Sequence, residues 1–372
     1  MKGIYIYYYY IDKEKKNGIE KKVLSQIELF KKKGFECELI TYPYVHSFKT
    51  KILGRLPFTN VDPKWEYDNK FEKIDFIYLR RPFNMSYGFR KFLKNVKKNN
   101  LHVKIIVEIP TYPYDHELTD NFMNYPLLIK DRYNRKHMKG LIDCWTVIGE
   151  IDNREKLWDI PIIPFINGIK IDEIQPKEDK HVANEINLIC VSTFEMWHGY
   201  DRLLKGLGKY YRDTQTPRNV QLYMVGDGLE KEKYSKIIYE EGIEEYVHLK
   251  GMLYKQELDK LYDLADIAIE CLGMYRKKMN LSSSLKSREY LAKGLPIVAA
   301  CKNDVIGEET SPYYLELENS EKDIDVSRIV EFYDKIYPTE ESHTIVANKI
   351  RKYAENKIDL NVTMQPIVDF IK

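Results

Sequence analysis

Asn280-Leu-Ser-Ser-Ser-Leu-Lys-Ser-Arg-Glu-Tyr-Leu-Ala-Lys-Gly-Leu-Pro-Ile-Val298 carries both ends of a helix and the start of the strand after it. Ser282 to Ser284 are N-cap residues, whose hydroxyls can take backbone N–H groups that a helix start leaves without acceptors. Gly294-Leu295-Pro296 stops the helix: glycine adopts the left-handed C-cap conformation and proline cannot continue the ladder. The spacing predicts a helix over Leu285–Lys293 and a strand over Pro296–Ala300. Upstream, a helical stretch Lys255–Leu264 runs into the apolar triplet Ile267-Ala268-Ile269. Strand Ile186–Val191, helix Tyr200–Tyr211, strand Val220–Val225, helix Glu230–Glu241 and strand Val247–Leu249 precede these. Helices between successive short apolar runs mean crossover connections and a mainly parallel, doubly wound sheet.

The same alternation fills the first half. Ile4–Tyr10, Glu38–Tyr42, Ile74–Leu79, Val103–Ile109, Cys144–Ile148 and Pro161–Phe165 read as strands. Ile19, Val23, Ile27 and Phe30 form one apolar helical stripe that Gly34 ends. The polar stretch Asn167–Glu185, with Pro176, reads as an interdomain connection. The expected fold is α/β, with two doubly wound Rossmann-like domains facing a cleft, residues 1–168 and 169–350, and a last segment, 351–372, packing back on the first domain. Open parallel sheets bind ligands at their strand carboxyl ends, so a phosphorylated ligand is expected there.

Composition narrows the class. With 372 residues, 44% of them hydrophobic, two packed cores are expected. The net charge of +2 argues against nucleic acid as a partner. Five scattered cysteines (Cys37, Cys144, Cys190, Cys271 and Cys301), with no Cys-x-x-Cys, read as buried thiols in a reducing compartment. The eight histidines show no zinc spacing, so no metal is expected. Met1 to Tyr5 reads as an immediate first strand, which predicts a cytoplasmic protein without a signal peptide. Lysines and arginines crowd Arg90 to Lys104. They read as a solvated helix face, or as a basic surface on the N-terminal half that meets anionic lipid at the inner face of the membrane.

The chemistry expected of the opening stretch is anion binding. A serine-capped helix start carries partial positive charge, and Lys286 in its first turn adds a full one. Glu289 could accept hydrogen bonds from ribose hydroxyls. The plainer alternative is a simple cap, with Glu289 pairing Lys293 at i+4.

Lys286 to Val298 resembles the K-x-x-E-Y-x-A-x-G-x-P-I-V signature of family-4 glycosyltransferases, retaining enzymes of the GT-B fold. Asn167-Gly168-Ile169-Lys170-Ile171-Asp172 is similar to their hinge, and Val191 to Leu204 to their first anion-binding segment. Met224-Val225-Gly226-Asp227-Gly228, Leu249-Lys250-Gly251 with Leu261-Tyr262 and Ala265-Asp266-Ile267, and Asn17-Gly18-Ile19-Glu20 follow the same pattern. The resemblance implies a metal-independent hexosyltransferase of the capsule or exopolysaccharide type. It would move a sugar from a UDP- or GDP-sugar, held in the C-terminal domain, to a glycan or polyprenyl-linked acceptor in the N-terminal one. No cofactor beyond the nucleotide-sugar substrate is implied.

Its expected residues are Lys286, His198, Arg276 and His116 for catalysis, and Glu289, Ser283, Ser284, Gly226, Gly228 and Gly18 for the donor. Departures from the pattern are specific. His198 stands where the family has a lysine, Ser192 or Thr193 where it has an arginine, and Leu281 where it has an earlier glutamate. Arg276, Lys277 and Lys278 are the replacements expected for that lost charge. The lost positions give weight to one alternative, a catalytically degenerate subunit; a second, a sugar-nucleotide epimerase, would be expected to carry catalytic carboxylates in the cleft, which the sequence does not place.

Overall fold

The computed structural model describes residues 1–9, 18–42, 47–56, 59, 65–119, 122–149, 151 and 154–372. They form two compact units, Met1–Asn167 with Thr363–Lys372 and Gly168–Val362.

The first unit holds β1 (Lys2–Tyr7), β2 (Glu36–Thr41), β3 (Phe76–Arg80), β4 (Lys104–Tyr112), β5 (Cys144–Gly149), β6 (Lys156–Leu157) and β7 (Ile160–Pro164). Its helices are α1 (Gly18–Lys32), α2 (Phe48–Gly54), α3 (Tyr87–Asn99) and α4 (Tyr125–Lys136). The strand order is β2-β1-β3-β4-β5-β7-β6, parallel except for the β6–β7 pair. Consecutive residues of β3 and β4 are buried, as expected of a parallel sheet covered on both faces.

Glu108 of β4 is a fully buried carboxylate in this unit. Lys22 Nζ donates to it at 2.8 Å, Arg80 Nη1 at 3.0 Å and the Tyr78 hydroxyl at 2.7 Å. Burial alone would raise its pKa, but the Lys22 and Arg80 charges more than offset this and hold it at about 2.

The second unit holds β8 (Glu185–Val191), β9 (Asn219–Val225), β10 (Val247–Gly251), β11 (Ile267–Ile269), β12 (Leu281–Ser282), β13 (Ile297–Ala299), β14 (Lys302–Asn303) and β15 (Tyr314–Glu316). Its helices are α5 (Tyr200–Asp213), α6 (Lys231–Glu241), α7 (Gln256–Leu264), α8 (Leu285–Lys293), α9 (Val326–Ile336), α10 (Ser342–Lys357) and α11 (Leu360–Thr363). The main sheet runs β10-β9-β8-β11-β13-β15, all parallel, and β12 pairs with β14 separately. Strand order reverses between β8 and β11, the switch point at which such sheets leave a crevice beyond their carboxyl ends. Gly294 ends α8 with φ +85°, and a side chain there would strike Ala347 of α10.

The stretch 351–372 divides between the units. Arg351 donates to the carbonyls of Ile171, Ile174 and Ala292, tying α10 into the second unit. Only Thr363–Lys372, with α12 (Gln365–Ile371), goes with the first. The expected strand Ile4–Tyr10 is β1, and Tyr10 lies outside the described residues.

Candidate active site

The switch point of the second sheet gathers the loops after β8, β9, β11 and β13. The first two are joined by backbone bonds: Phe194 N–H donates to Asp227 O at 2.8 Å, and Glu230 N–H to Phe194 O at 3.1 Å. Gly226 and Gly228 make this possible. Both have positive φ, and a Cβ on either would overlap the backbone of residues 192–194. The space these glycines open is filled by a neighbouring loop. In the same way Leu272 N–H donates to His198 O at 2.7 Å, joining the β8 and β11 loops.

Ser284 is the N-cap of α8, accepting from Ser287 N–H at 3.2 Å. Its hydroxyl donates at 2.5 Å to Glu270, the residue directly after β11. Ser283 donates at 2.7 Å to Asp304, which also pairs with the buried Arg288. Both hydroxyls therefore brace the helix start from within the protein. The ligand-facing resource of α8 is its first-turn N–H groups, which have no intrahelical acceptors.

Lys286 and Glu270 form the centre. The Glu270 side chain has no exposed surface, and its Oε1 lies 3.7 Å from Lys286 Nζ, which also lies 3.6 Å from Cys271 Sγ. Burial opposes the ammonium, yet its pKa is raised by the Cys271 sulfur and by Glu270. Because burial pushes the Cys271 thiol itself up to about 12, that sulfur stays neutral and Glu270 is the effective anion. The Glu270 carboxyl is correspondingly lowered: burial would raise it, but Lys286 and the Ser284 hydroxyl prevail. Lys286 thus stays charged in a site where water competes weakly.

The other expected cations fare differently. His198 is buried and neutral: burial, then the charges of Lys286 and Lys277, hold its pKa down at about 2. Its Nδ1 accepts from Glu195 N–H at 3.2 Å, which leaves Nε2 as the N–H donor. Its ring N–H is turned to the Thr193 backbone and it carries no positive charge, which corrects the expectation that it supplies positive potential. Arg276 is committed to carboxylates, with Nη1 at 2.9 Å and Nη2 at 2.9 Å from Asp201, and Glu321 at 3.2 Å. Lys277 Nζ sits 3.5 Å above the Trp197 ring. Glu289 accepts from the Tyr262 hydroxyl at 3.1 Å. It does not pair with Lys293, whose Nζ is 2.5 Å from Asp259.

Two expected residues lie in the first unit. Gly18 is the first residue of α1, and Asn17 before it is outside the described residues. His116 belongs to a short 3-10 helix, Asp115–Leu118, and its side chain is outside the described set. Its neighbours are structural: Asp115 pairs with Arg132 and Arg135, and Glu117 with Arg81.

For a metal, the described residues offer Asp179, His181 and His343, whose ligand atoms lie within 4.8 Å of one another. The two imidazoles are stacked 4.2 Å apart and nearly parallel, so their nitrogens do not converge on one point. This group adjoins Asp266, at the amino end of β11, whereas Glu270, the partner of Lys286, follows its carboxyl end.

Residues 185–323 match the profile of the family described as glycosyl transferases group 1. The fold is GT-B. The matched segment spans the switch point, Glu270 and α8. No curated protein sequence matches the chain. Among solved structures, HepE of Anabaena, in complex with UDP and glucose, superposes with a TM-score of 0.62 at 13% identity, covering 100% of this chain and 99% of that one. A glycosyltransferase of Rickettsia africae gives 0.64 at 12% identity, covering 100% and 97%. The lipopolysaccharide outer core galactosyltransferase WaaB gives 0.61 at 15% identity, covering 100% and 99%.

Sequence reasoning missed Glu270 and Asp201. Glu270 was legible as a charged residue at the carboxyl end of an apolar strand, Ile267-Ala268-Ile269, where parallel sheets place their ligand-facing groups. Asp201 precedes Arg202 in a helix start and had no distinguishing spacing.

Proposed function

We propose that this chain is a metal-independent, retaining glycosyltransferase that takes a UDP- or GDP-sugar as donor. The observation that carries the reading is the charged Lys286, buried against Glu270 at the start of α8, inside the segment that matches the family profile. Cleaving a sugar–nucleotide bond leaves a diphosphate with growing negative charge, and preorganised positive groups in a dry site stabilise it most. Lys286 supplies the full charge, and the N–H groups of Leu285 and Lys286 at the start of α8 supply dipoles. Glu289 holds the ribose. The incoming hydroxyl attacks on the face from which the phosphate leaves, and that phosphate takes its proton, so positioning carries much of the rate. The acceptor is a glycan or polyprenyl-linked sugar in cell-surface polysaccharide synthesis, met by the first unit at the cytoplasmic face of the membrane. That HepE was solved with UDP and glucose supports a UDP-sugar as the first donor to test.

One observation favours a second reading, a degenerate subunit. With Arg276 held by Asp201 and His198 neutral, Lys286 carries the full charge with little help. Slow nucleotide release from a panel of UDP- and GDP-sugars, without acceptor and with chelator present, separates the two. The catalytic reading expects release that Lys286→Met lowers by roughly a hundredfold or more. No release from any donor supports the degenerate subunit, and equal release by the variant removes Lys286 from the site.

A further inference from the structure

Helix α4 buries Leu127 and Leu128, but much of the rest of its pattern is inverted. Its buried face includes Lys130, Asp131, Asn134 and Arg135, while Tyr125, Ile129 and Tyr133, four residues apart, point outward. A surface helix of a water-soluble unit shows the reverse pattern. Most of the polar groups inside are paired by the fold: Asp131 accepts from Met85 N–H at 2.7 Å, Tyr114 at 2.9 Å and Arg135 at 3.1 Å, and Lys130 donates to Gly54 O at 2.9 Å, while Asn134 Oδ1 and Arg135 Nε are left without a partner among the described residues. The apolar groups outside have no such account. Ile129 is 67% exposed. Phe48 and Ile52 of α2, with Leu56 just past its end, make a second outward group, Phe48 being 81% exposed. Arg55 Nε donates at 2.8 Å to Met123 O, just before α4, and so ties the two groups together.

Beside these groups lies a pocket of about 390 Å³ whose walls are largely carbon, contributed by Tyr87, Pro126, Ile129 and Tyr133. Arg90 stands at it with its guanidinium 5.6 Å from the Tyr87 ring and 5.6 Å from the Tyr133 ring. Among the described residues no carboxylate pairs with Arg90. The charge of the whole face has one sign. α2, α3 and α4 carry a single acidic residue between them, the buried Asp131, against many lysines and arginines.

We infer that this face seats the first unit on an anionic bilayer: the two apolar groups enter the headgroup boundary, one lipid chain fills the pocket, and Arg90 meets that lipid's phosphate. Apolar residues exposed as a patch with a cationic rim fit a membrane surface, for which buried carbon and charge attraction add. A water-facing protein partner would be expected to meet complementary acids and bases, and among the described residues α2, α3 and α4 carry no exposed acid. The inference rests on the membrane part of the reading above and sharpens it. The contact is apolar insertion by α2 and α4, and the basic helix α3 alone does not make it.

The test is co-sedimentation of the full chain with vesicles of phosphatidylcholine alone and of phosphatidylcholine with phosphatidylglycerol, with donor hydrolysis measured in parallel. Binding is expected to favour the anionic vesicles and to persist in part at high salt. Ile129→Glu and Phe48→Glu, both at exposed positions, are expected to lower partitioning roughly tenfold each. Arg90→Gln is expected to lower the preference for phosphatidylglycerol about fivefold. Wild-type partitioning by both Glu variants, or binding abolished completely by salt, overturns the inference. So does a dimer that Ile129→Glu dissociates, which would make a second copy the occupant. Donor hydrolysis by Ile129→Glu should stay at the wild-type level. Normal hydrolysis without vesicle binding sinks the surface alone, and vesicle binding without hydrolysis sinks the transferase reading alone.

Discussion

Replacing Glu270 by Gln keeps the side-chain volume and removes the negative charge 3.7 Å from Lys286 Nζ. At an effective dielectric of about 20, unit charges at that separation attract by about 4–5 kcal/mol. The Glu270 side chain has no exposed surface and that of Lys286 is 19% exposed, so water replaces little of the lost interaction. Removing one partner of a buried pair costs about 3–5 kcal/mol, and the long separation puts this pair at the low end, about 3 kcal/mol. For a unit the size of Gly168–Val362, that lowers Tm by about 6–12 °C. Scanning calorimetry of the full chain, Glu270→Gln, Lys286→Met and the double variant completes a cycle. The double variant should recover about 2 kcal/mol, because no orphaned charge remains. The effect has a pH signature. The Glu270 carboxyl is held below its ordinary range, so the wild-type advantage is full above that range and fades as pH falls through it. A coupling below about 0.5 kcal/mol, or a Tm within about 2 °C of wild type, refutes the assignment of Glu270 as the anion that keeps Lys286 charged.

In the first unit, Glu108 has a folded pKa of about 2, so its stabilisation is present above about pH 4.5 and lost between about 4.5 and 2, amounting to about 3 kcal/mol. Urea unfolding at a series of pH values should show that slope in wild type and a flatter one in Glu108→Gln, and parallel curves would contradict it. Arg276→Ala leaves Asp201 with only Lys233 at 3.1 Å, and should cost about 1–2 kcal/mol of stability with little change in nucleotide affinity. A large loss of affinity at unchanged Tm would instead put the guanidinium on the diphosphate. Gly226→Ala, at φ +142° and against the Ser192 carbonyl, should destabilise by more than about 2 kcal/mol in thermal unfolding, and a neutral outcome would show that the β8 and β9 loops are not locked together.

Much of this architecture was readable because its signals are local. Leu285–Lys293 was predicted to the residue, since a serine cap and a glycine stop mark both ends within one segment. Five strands of the second sheet, β8 to β11 and β13, were equally plain, being short apolar runs beside helical stretches, while β15 was not read. The final helix was less so. Val362–Ile371 reads as one apolar pattern, yet it is two helices meeting at Met364, because Pro366 fits only a helix start. α4 was missed for a physical reason: beside Leu127 and Leu128 it buries Lys130, Asp131, Asn134 and Arg135 and exposes Tyr125, Ile129 and Tyr133, so its pattern misleads periodicity arguments. In the site, the position of Lys286 was legible and its partners were not. Whether an arginine is available to a ligand or held by a protein carboxylate depends on contacts far apart in sequence. Arg276 and Asp201 are 75 residues apart, and nothing in either segment announces the other.

The return of Thr363–Lys372 to the first unit has a consequence for biosynthesis. Buried Ile367, Val368 and Ile371 complete that unit's packing, and Lys104 Nζ closes the end of α12 by donating to Phe370 O at 2.7 Å. On the ribosome, the first unit leaves the exit tunnel with this seat vacant and must wait while all of Gly168–Val362 is translated, about 10–40 s at ordinary elongation rates. During that interval the nascent chain displays a greasy groove shaped for its own last helix, which makes it a client for chaperones that bind exposed apolar grooves.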